Sequence, residues 1–445
     1  MRGATKIKAR VLASTMLGAW ALASGPAMAG GFAVREQSTE FQGMSFAGSA
    51  AAGGGLSGMF WNPAVAAYAP VGIYTESHYA AIIGQSEISG DASVGGVNLG
   101  LPQHSGDIAK DALVPASYAS FRLSERLVAA ISVNSPFGLV TEPSNRFWAG
   151  QTFARTSEIK TYNFAPTLAY RLSPTVAIGL GLQIERIEGR LKNASGLTAT
   201  SPNAVIQGDD TAFGVTAGLN WTPSRDTSIG LGYRSSIDHT LEGSVSIPGS
   251  GVAPAAVGAA VKAGITLPEI ITLSLRQELA PRWRALGTIE YTHWDRAQKL
   301  DIVCANNVGG GNPVFCPLGN GQLVRSLDLG WHDGWFFALG AEHDYSDRLR
   351  LRAGLAYELS PIQNADERTL RVPDADRIWA SVGATYRWSE TISLDLAYTH
   401  VFVDNAPIDR SESGVRFIGS ADTSVDIVSA SLKMKFGGAE PAPLK

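Results

Sequence analysis

Few residues of this sequence have the types and spacing that catalysis needs. Residues 43–47, GMSFA, approach the turn that carries a hydrolase serine, but the final glycine and the preceding strand are missing. His293, His332 and His343 each stand near an aspartate, which leaves a hydrolase open as an alternative. The glycines at 309–311 lack the lysine and the hydroxyl residue of a phosphate-binding loop. We predict that the chain is not an enzyme and has no catalytic residue, cofactor or metal site.

The two cysteines offer a second kind of chemistry. Cys304 and Cys316 lie 12 residues apart in a stretch rich in glycine, asparagine and proline. Such a pair forms a disulfide in an oxidising compartment, and an incidental reduced pair is the alternative. A metal site would need further ligands close by, and the neighbouring sequence offers none. Because the N-terminus predicts export, we predict a disulfide that pins an external loop.

The first 29 residues predict a cleaved export signal. Four basic residues precede an apolar stretch of 13 residues at 11–23, and Ala27-Met28-Ala29 supplies a small-x-small cleavage pattern. The apolar stretch is too short for a membrane-spanning helix. An uncleaved amphipathic N-terminus is the alternative. Without these residues 32 Lys and Arg stand against 40 Asp and Glu, and this acidic balance argues against a nucleic-acid partner.

Six short turns recur along the chain, and each carries an arginine and an aromatic residue. They lie at 121–125, 170–174, 221–225, 281–283, 345–348 and 387–390. Aromatic rings prefer the headgroup layer of a membrane, and arginine can lay its stem on apolar surface while its charge reaches water. Hairpins with this signature at one end are typical of a transmembrane β-barrel.

Alternating segments between these turns predict fourteen strands. They lie at 71–83, 113–122, 127–138, 158–171, 175–192, 210–222, 227–243, 269–279, 283–302, 334–345, 349–359, 377–388, 392–403 and 424–436. An even number places both ends of a single-chain barrel in the periplasm, with all six short turns on that side. The longer connections at 84–112, 139–157, 193–209, 244–268, 303–333, 360–376 and 404–423 are then external loops.

The alternation also predicts which side chains face lipid. In the fifth strand every second residue from Val176 to Ile184 is apolar. The residues between them are small or polar, and the last two of these are Gln183 and Glu185. The eleventh strand repeats the pattern, with arginines and a glutamate on the polar face. Because the lipid face of a barrel is apolar, we predict that these charged residues point inward and fill the lumen by pairing with one another.

The residues before the first strand do not alternate. Residues 30–69 are crowded with small side chains and reach an apolar cluster at 59–61, which favours a packed plug over a disordered leader. We predict one barrel domain at 70–436, preceded by this element. Its last strand ends at Phe436, and residues 437–445 read as a periplasmic tail.

An ordered series of short motifs resembles the FadL family of outer-membrane transporters, over essentially all of residues 30–436. The family takes up long-chain fatty acids or, in its TodX-like branch, aromatic hydrocarbons. The matching segments are NPA at 62–64, PFGL at 136–139, AYRL at 169–172, GLG at 179–181, LPE at 267–269 and VPDADRIW at 372–379.

The resemblance implies a fold and a route. The fold is an all-β, 14-stranded antiparallel transmembrane barrel of the bacterial outer membrane, with residues 30–69 as an N-terminal hatch that plugs the lumen. Asn62, Pro63 and Ala64 belong to that hatch. An apolar molecule passes from an external groove to a pocket above the hatch, the hatch shifts, and the molecule leaves sideways at a kink in the third strand. In this chain the kink falls at Pro136, Phe137 and Gly138, since proline removes a ladder donor and glycine tolerates a bend.

The resemblance also implies basic side chains for a substrate carboxylate. The matching positions are Asn193 and Leu327, so the nearest bases are Arg190, Lys192 and Arg325. Ordinary pairing with nearby acidic residues is the alternative for these bases. The expected cargo is therefore a long-chain fatty acid or another apolar molecule, with aromatic hydrocarbons as the second choice and a general aqueous porin as the third. Outer-membrane lipid and lipopolysaccharide are the expected surroundings of a barrel that works as a monomer.

Overall fold

The computed structural model describes residues 30–247, 257–305 and 316–437. The predicted export signal at 1–29 and residues 438–445 of the predicted tail lie outside these ranges, so both stay predictions. Most of the described chain forms β-strands. No helix within the three ranges is long and apolar enough to cross a membrane.

The strands are numbered β1 to β22 in chain order. They are β1 (Ile73–Val94), β2 (Val97–Asn98), β3 (His104–Asp107), β4 (Ala112–Arg122), β5 (Leu127–Asn134), β6 (Gly138–Thr141), β7 (Thr156–Arg171), β8 (Val176–Ala194), β9 (Asn203–Trp221), β10 (Thr227–Arg234), β11 (Ile237–Ile247), β12 (Val257–Leu267), β13 (Ile270–Ala280), β14 (Trp283–Thr292), β15 (Lys299–Cys304), β16 (Leu323–Asp328), β17 (Gly334–Asp344), β18 (Leu349–Leu359), β19 (Arg377–Arg387), β20 (Ile392–Val403), β21 (Ala406–Glu412) and β22 (Val415–Phe436).

Antiparallel pairing closes these strands into a 14-membered ring. The ring runs β1, β4, β5, β7, β8, β9, β10, β13, β14, β17, β18, β19, β20 and β22, and returns to β1. The closing pair is in register from Ile73 with Phe436 to Val94 with Val415. The predicted all-β, 14-stranded antiparallel barrel is confirmed. A closed ring satisfies every backbone group that would otherwise face lipid.

The strands continue far beyond the predicted ends on the external side. Both β1 and β22 have 22 residues, about 70 Å of extended chain, whereas about ten residues cross a bilayer. Segment 244–268 was expected as a loop, yet β12 occupies its second half and pairs with β11. Segments 84–112 and 404–423 likewise contain strand. Outside the membrane neither face must be apolar, so the alternation that marks a strand is absent there.

The two faces of the wall follow the predicted alternation. Leu180 and Leu355 are 65% and 62% exposed on the outer face. Glu185 and Arg352 are buried on the inner face. The inward charges pair with one another: Arg352 contacts Glu342 at 2.9 Å and Arg276 contacts the same carboxylate at 2.7 Å.

Residues 30–69 are buried against the inner faces of the strands. They form one α-helical turn, α1 (Thr39–Gln42), and two 3₁₀ helices, Leu56–Phe60 and Pro63–Tyr68. Ser38 begins α1 by accepting a hydrogen bond from the Phe41 amide at 3.3 Å. A serine at this position satisfies a helix amide that has no partner within the helix.

Glycines in the wall let the backbone of residues 43–63 approach the strands directly. A Cβ atom on Gly230 would overlap the carbonyl oxygen of Ala50, and one on Gly354 would overlap the backbone of Met44. The same is true of Gly179 against Pro63. We call these and the similar positions the glycine collar: Gly179, Gly218, Gly230, Gly232, Gly354 and Gly383. Only a residue without a side chain permits so close a contact between two backbones.

Candidate functional site

The wall has a gap beside β4. The ladder between β1 and β4 runs from Ala112 to Phe121 on the β4 side. On its other edge β4 pairs with β5 only from Ser117 to Arg122 in the described chain. The external end of β4, Ala112–Ala116, therefore has no ladder partner there, and an isolated bridge between Ala109 and Thr141 closes the gap above it. Five residues correspond to an opening about 16 Å long. We call this opening the window.

The window exists because the chain leaves the wall between β5 and β6. The predicted third strand is interrupted at Ser135–Phe137, so the kink itself is observed, while its part in transport stays a prediction. These residues turn toward the N-terminal segment: the Val34 amide donates to the Pro136 carbonyl at 2.8 Å, and the Gly138 amide donates to the Phe32 carbonyl at 2.8 Å. Proline has no backbone N–H, so no hydrogen bond donated by Pro136 is lost when this residue leaves the ladder.

Gln37 completes this attachment. Its side-chain amide donates to the Ser135 carbonyl at 2.8 Å and to the Val34 carbonyl at 3.1 Å. Its side-chain oxygen accepts from the Ser135 amide at 3.4 Å. Residues 32–37, which we call the hatch tip, thus satisfy backbone groups of Ser135 and Pro136, while the backbone of Phe137 stays bonded to Thr161 of β7. Hatch tip and kink form one hydrogen-bonded unit.

An aromatic cluster lies against this unit in the lumen. Phe32 of the hatch tip and Phe137 of the kink have ring centroids 6.0 Å apart. Trp294 lies 4.9 Å from the Phe32 ring, and Trp331 lies 5.5 Å from it. All four side chains are buried. The site predicted above the hatch is therefore apolar, and in this structure protein side chains fill its centre.

A cavity of about 360 Å³ adjoins the window. Pro115 of β4, Asn134 and Ser135 of the kink, and Asn163 and Phe164 of β7 contribute to its lining. A second, smaller cavity of about 20 Å³ lies on the lumen side between the hatch tip and the wall, and Pro136 and Trp61 both line it. The larger cavity has room for a small apolar group, since one water molecule occupies about 30 Å³ of liquid.

The hatch residues Asn62, Pro63 and Ala64 lie elsewhere. Asn62 begins the second 3₁₀ helix by accepting from the Ala64 amide at 3.0 Å, and its amide donates to the carbonyls of Ala50 and Leu219 at 2.7 and 3.0 Å. Pro63 packs on the glycine collar. The structure therefore shows these three residues fixing the hatch to β8 and β9, and their part in gating stays a prediction.

Ion pairs fix the base of the hatch. Glu40 contacts Arg352 at 3.1 Å and also pairs with Lys433, which in turn lies 3.0 Å from Asp395. Burial would raise the pKa of Glu40, but the charges of Lys433 and Arg352 outweigh burial and hold this pKa below its usual range. A buried charge with several partners is costly to separate from them.

The hatch tip contains a carboxyl group in a different state. Arg35 pairs with Glu290, and with Glu358 at 3.1 Å. Glu36 is 2% exposed, and its Oε2 atom has no hydrogen-bond partner among the described residues. Burial raises the pKa of Glu36 to about 7, and the nearby charge of Glu358 adds to this effect. A carboxyl group in such surroundings is neutral below that pH and becomes an unpaired buried anion above it.

Of the three basic residues predicted to bind a substrate carboxylate, the structure does not bring all together. Arg325 reaches the end of β8, where it donates to Asn193 at 2.9 Å, but it also pairs with Glu412 at 2.7 Å. Arg190 is exposed, and Lys192 is half-buried. The structure therefore joins Arg325 to the fifth predicted strand and leaves the other two bases apart from it. Carboxylate binding by any of the three stays a prediction.

Sequence reasoning missed Arg371, a buried cation in the loop before β19. Its guanidinium donates to the Ser157 hydroxyl and the Thr156 carbonyl, both at 3.1 Å, and forms no ion pair with a carboxylate of the described chain. Burial and, to a smaller extent, the charge of Arg325 together lower the pKa of Arg371 to about 9. The one sequence signal was its position, directly before the VPDADRIW motif at 372–379.

Comparisons with known proteins agree with this architecture. The family model described as outer membrane protein transport protein (OMPP1/FadL/TodX) matches residues 20–436. A long-chain fatty acid transport protein of Escherichia coli O6:H1 is 25% identical over 445 residues, which cover 91% of this chain and 94% of that protein. A 47 kDa outer membrane protein of Pasteurella multocida is 28% identical over 461 residues, with coverages of 96% and 98%.

Solved structures share the fold. A Pseudomonas aeruginosa FadL homologue superposes with a TM-score of 0.80 at 22% identity, covering 92% of this chain and 100% of that one. The toluene transporter TodX of Pseudomonas putida superposes with a TM-score of 0.66 at 14% identity, with coverages of 92% and 100%. At these identities the likeness concerns the arrangement of the barrel.

Proposed function

This chain belongs to the OMPP1/FadL/TodX family of outer membrane transport proteins, and from that premise we propose that it carries long-chain fatty acids through the window. Transport of hydrophobic compounds across the outer membrane is what the family does. Our proposal concerns the cargo and the route. The single observation that carries the route is the interrupted ladder beside β4, where the wall is open next to a cavity of about 360 Å³.

A side exit suits an apolar cargo. A water-filled pore would have to hydrate the alkyl chain, at a cost of about 0.8 kcal/mol for each CH₂ group that leaves an apolar environment. A window that faces lipid avoids this cost, because the chain passes from an apolar interior to an apolar bilayer. The aromatic cluster around Phe32 and Trp294 supplies such an interior. For the same reason we reject an aqueous porin.

The hatch tip supplies the gate in this proposal. The path from the aromatic cluster to the window passes between the hatch tip and the kink, which the Val34 and Gly138 hydrogen bonds hold together. We propose that the tip parts from the kink when a substrate replaces the ring of Phe32 in the cluster. Residues 30–69 act as the hatch throughout, after removal of residues 1–29.

Arg371 and Arg325 favour a fatty acid as the cargo. Arg371 is buried and without a carboxylate partner in the described chain, and Arg325 has only one such partner there. A substrate carboxylate is the partner that a buried guanidinium lacks, and planar guanidinium groups bind carboxylates well. The curated relative from Escherichia coli is a long-chain fatty acid transport protein. Aromatic hydrocarbons, the cargo of the toluene transporter, are the second candidate, since the window itself has no need of a carboxylate.

The closed ring also bears on the oligomeric state and on the lipids that surround the barrel. Each strand of the ring finds both of its neighbours within one chain, so we propose that a single copy forms a complete route and works as a monomer. Lipopolysaccharide and phospholipid surround it, and it acts by passive transfer without catalysis.

The proposal is tested by uptake in cells that lack other transporters of this family. We expect Arg371→Gln to lower uptake of radiolabelled oleate about tenfold, the effect of losing one charge-assisted hydrogen bond, and to leave toluene uptake unchanged. Arg225→Gln, which removes an exposed arginine of the turn at 221–225, is the matched control and should change neither. Equal loss of oleate and toluene uptake would contradict carboxylate recognition by Arg371. Failure of the unmodified protein to take up either compound would contradict the proposed function.

A further inference from the structure

A row of buried polar side chains faces the lumen at the level of the window. Asn134 of β5 pairs in register with Asn163 of β7, which pairs with Glu185 of β8. The row continues to His239 of β11, whose Nε2 atom lies 3.6 Å from Glu185 Oε1. All four side chains are at most 2% exposed. Exclusion of water from the inner wall does not require such a row, because burying polar groups costs free energy unless they are hydrogen-bonded.

Several atoms of this row have no hydrogen-bond partner among the described residues. They are the side-chain oxygens Asn134 Oδ1, Asn163 Oδ1 and Glu185 Oε1, and the ring nitrogen His239 Nε2. Asn134 and Asn163 also line the cavity of about 360 Å³ at the window. Buried polar atoms are nearly always satisfied, so a group of them beside one cavity indicates something that binds there.

The chemistry of the missing partner follows from how Asn163 is held. Its amide nitrogen donates to Gln183 Oε1 at 3.0 Å and to Glu185 Oε2 at 3.2 Å. Two acceptors on one side fix the orientation of the amide, so its free atom is the oxygen. Asn134 Oδ1 is an acceptor as well, whereas Glu185 Oε1 and His239 Nε2 face each other. The two asparagines at the cavity therefore lack a hydrogen-bond donor.

The local charges argue for an uncharged donor. His239 Nδ1 lies 2.9 Å from Asp210, and its other nitrogen faces Glu185. Arg234 brings a positive charge next to the row, through its hydrogen bond to Gln183. A cationic ligand would lose its hydration beside this guanidinium, and a carboxylate would meet the free oxygens of the two asparagines.

From this geometry we propose that the row is a binding site for an uncharged O–H group, which guides a hydroxyl-bearing apolar molecule, or a fatty acid in its protonated form, toward the window. The inference rests on the proposed lateral route and adds a chemical preference to it. The hydroxyl donates to Asn163 Oδ1 or Asn134 Oδ1 while the alkyl chain lies among the aromatic side chains. A fatty acid that binds here takes up one proton from the solvent after it leaves the guanidinium of Arg371.

A competition assay tests this site. The purified full-length protein is incubated with equal amounts of hexadecanol and its methyl ether, which differ only in the O–H donor, and the retained ligands are measured by mass spectrometry. We expect wild-type protein to retain about ten times more alcohol than ether, the effect of leaving one buried acceptor unsatisfied. Glu185→Gln replaces one of the two acceptors that orient the Asn163 amide by a group that can itself donate, so the Asn163 oxygen is no longer held toward the cavity, and it should bring the ratio near one.

Matched variants separate the site from general effects. Glu242→Gln makes the same change at an exposed position of β11, outside the lining of the cavity, and should keep the wild-type ratio. Asn134→Ala is a second lumen variant, in case Glu185→Gln does not fold, and should also lower the ratio. Retention of the ether reports that the apolar path is intact. Hexadecanoic acid as a third probe distinguishes the sources of the O–H group: retention that falls with Glu185→Gln assigns the protonated acid to the site as well.

Two results would overturn the inference. A wild-type ratio near one would mean that water alone satisfies these oxygens, although the route itself would stand because both compounds are retained. A high ratio that Glu185→Gln and Asn134→Ala leave unchanged would assign the preference to another place. Retention of neither compound would instead contradict the proposed function, and with it the premise of this site.

Discussion

The two ends of the hatch are attached to the barrel in different ways. At its base, residues 43–63 lie with their backbone against the glycine collar, on strands that are paired on both edges. At its tip, residues 32–37 are bonded to the kink, which borders the window. The base is joined to strands with a neighbour on each side, whereas the tip is joined to a segment that meets the wall on its β7 side, where Phe137 bonds to Thr161, and borders the window on the other.

The buried glutamates at the two ends of the hatch also differ in how many partners they have. Glu40 at the base has cationic partners in Arg352 and Lys433. Glu36 at the tip has an oxygen without a partner in the described chain and a pKa raised by burial to about 7. Arg35 at the tip is itself paired with Glu290 and Glu358. We therefore expect movement of the tip in transport to begin at Glu36 and the kink, and the base of the hatch to stay seated.

The largest effect is expected from a side chain in the glycine collar. Gly230→Val places a Cβ atom where the Ala50 carbonyl lies, so the hatch cannot seat without moving the wall, at a cost of about 1–3 kcal/mol or more. We expect a strong loss of the folded, heat-modifiable form on gels. Gly264→Val is the control, since a Cβ there meets only the His239 carbonyl, at 4.0 Å. Equal folding of both variants would show that the base is not rigidly seated.

A change at the tip should affect uptake more than folding. In Gly138→Ile the Cβ atom would lie 3.4 Å from the Val34 side chain, and the rest of isoleucine would extend into the space between tip and kink. We expect uptake of apolar substrate to fall about tenfold, with heat-modifiable mobility retained. Gly138→Ala fits the same space and should keep uptake. Normal uptake by folded Gly138→Ile protein would contradict a route at this place.

A smaller effect is expected from pH acting on Glu36. Because its pKa in the seated tip is raised from 4.5 to about 7, the neutral form stabilises the seated tip. This stabilisation is complete below the unperturbed pKa and is lost as the pH rises through about 7. A cysteine placed at Ala33 should therefore react with a thiol reagent several-fold faster above that pH than below it, relative to the same cysteine in a Glu36→Gln background. That background carries the intrinsic pH dependence of the thiol and lacks the titrating carboxyl. Equal pH profiles in the two backgrounds would show that Glu36 does not control how firmly the tip is seated.

The smallest effect on transport is expected at the disulfide. Cys304 and Cys316 are bonded, with Cα atoms 5.9 Å apart, as the sequence predicts. The sequence predicts that the loop between them, whose residues 306–315 lie outside the described ranges, is external. Replacing both by alanine should loosen this loop by about 3 kcal/mol in the chain-entropy model. We expect faster cleavage of the loop by protease and oleate uptake within about twofold of wild type. A large loss of uptake would place the loop on the route.

Local patterns were sufficient to predict the barrel and the position of its kink. Alternation in a lipid-facing wall is imposed by the bilayer, so it is visible in the sequence of segments such as 176–185. The kink was predictable because Pro136 and Gly138 act on the backbone locally. The charged lumen was predictable for the same reason, since inward residues such as Arg352 alternate with apolar ones.

The contacts that make the site were not predictable, because they join distant parts of the chain. Gln37 bonds to Ser135, 98 residues away, and neither residue carries a local sign of this pairing. The buried Arg371 lies in a loop where exposed arginines are equally common. The external halves of β1 and β22 lack alternation because water surrounds them. Only the folded chain shows which polar groups are satisfied and which are left free.

The central claim is that the substrate passes the window only when the hatch tip parts from the kink. Ala33 and Phe137 face each other in an isolated antiparallel bridge, a geometry in which a cysteine pair can bond. We would measure oleate uptake by cells carrying Ala33→Cys with Phe137→Cys, oxidised and then reduced, with wild type under both conditions as the control for Cys304 and Cys316. The account predicts that oxidation abolishes uptake and that reduction restores it, while wild type changes little. Equal uptake by the oxidised and reduced forms would contradict it.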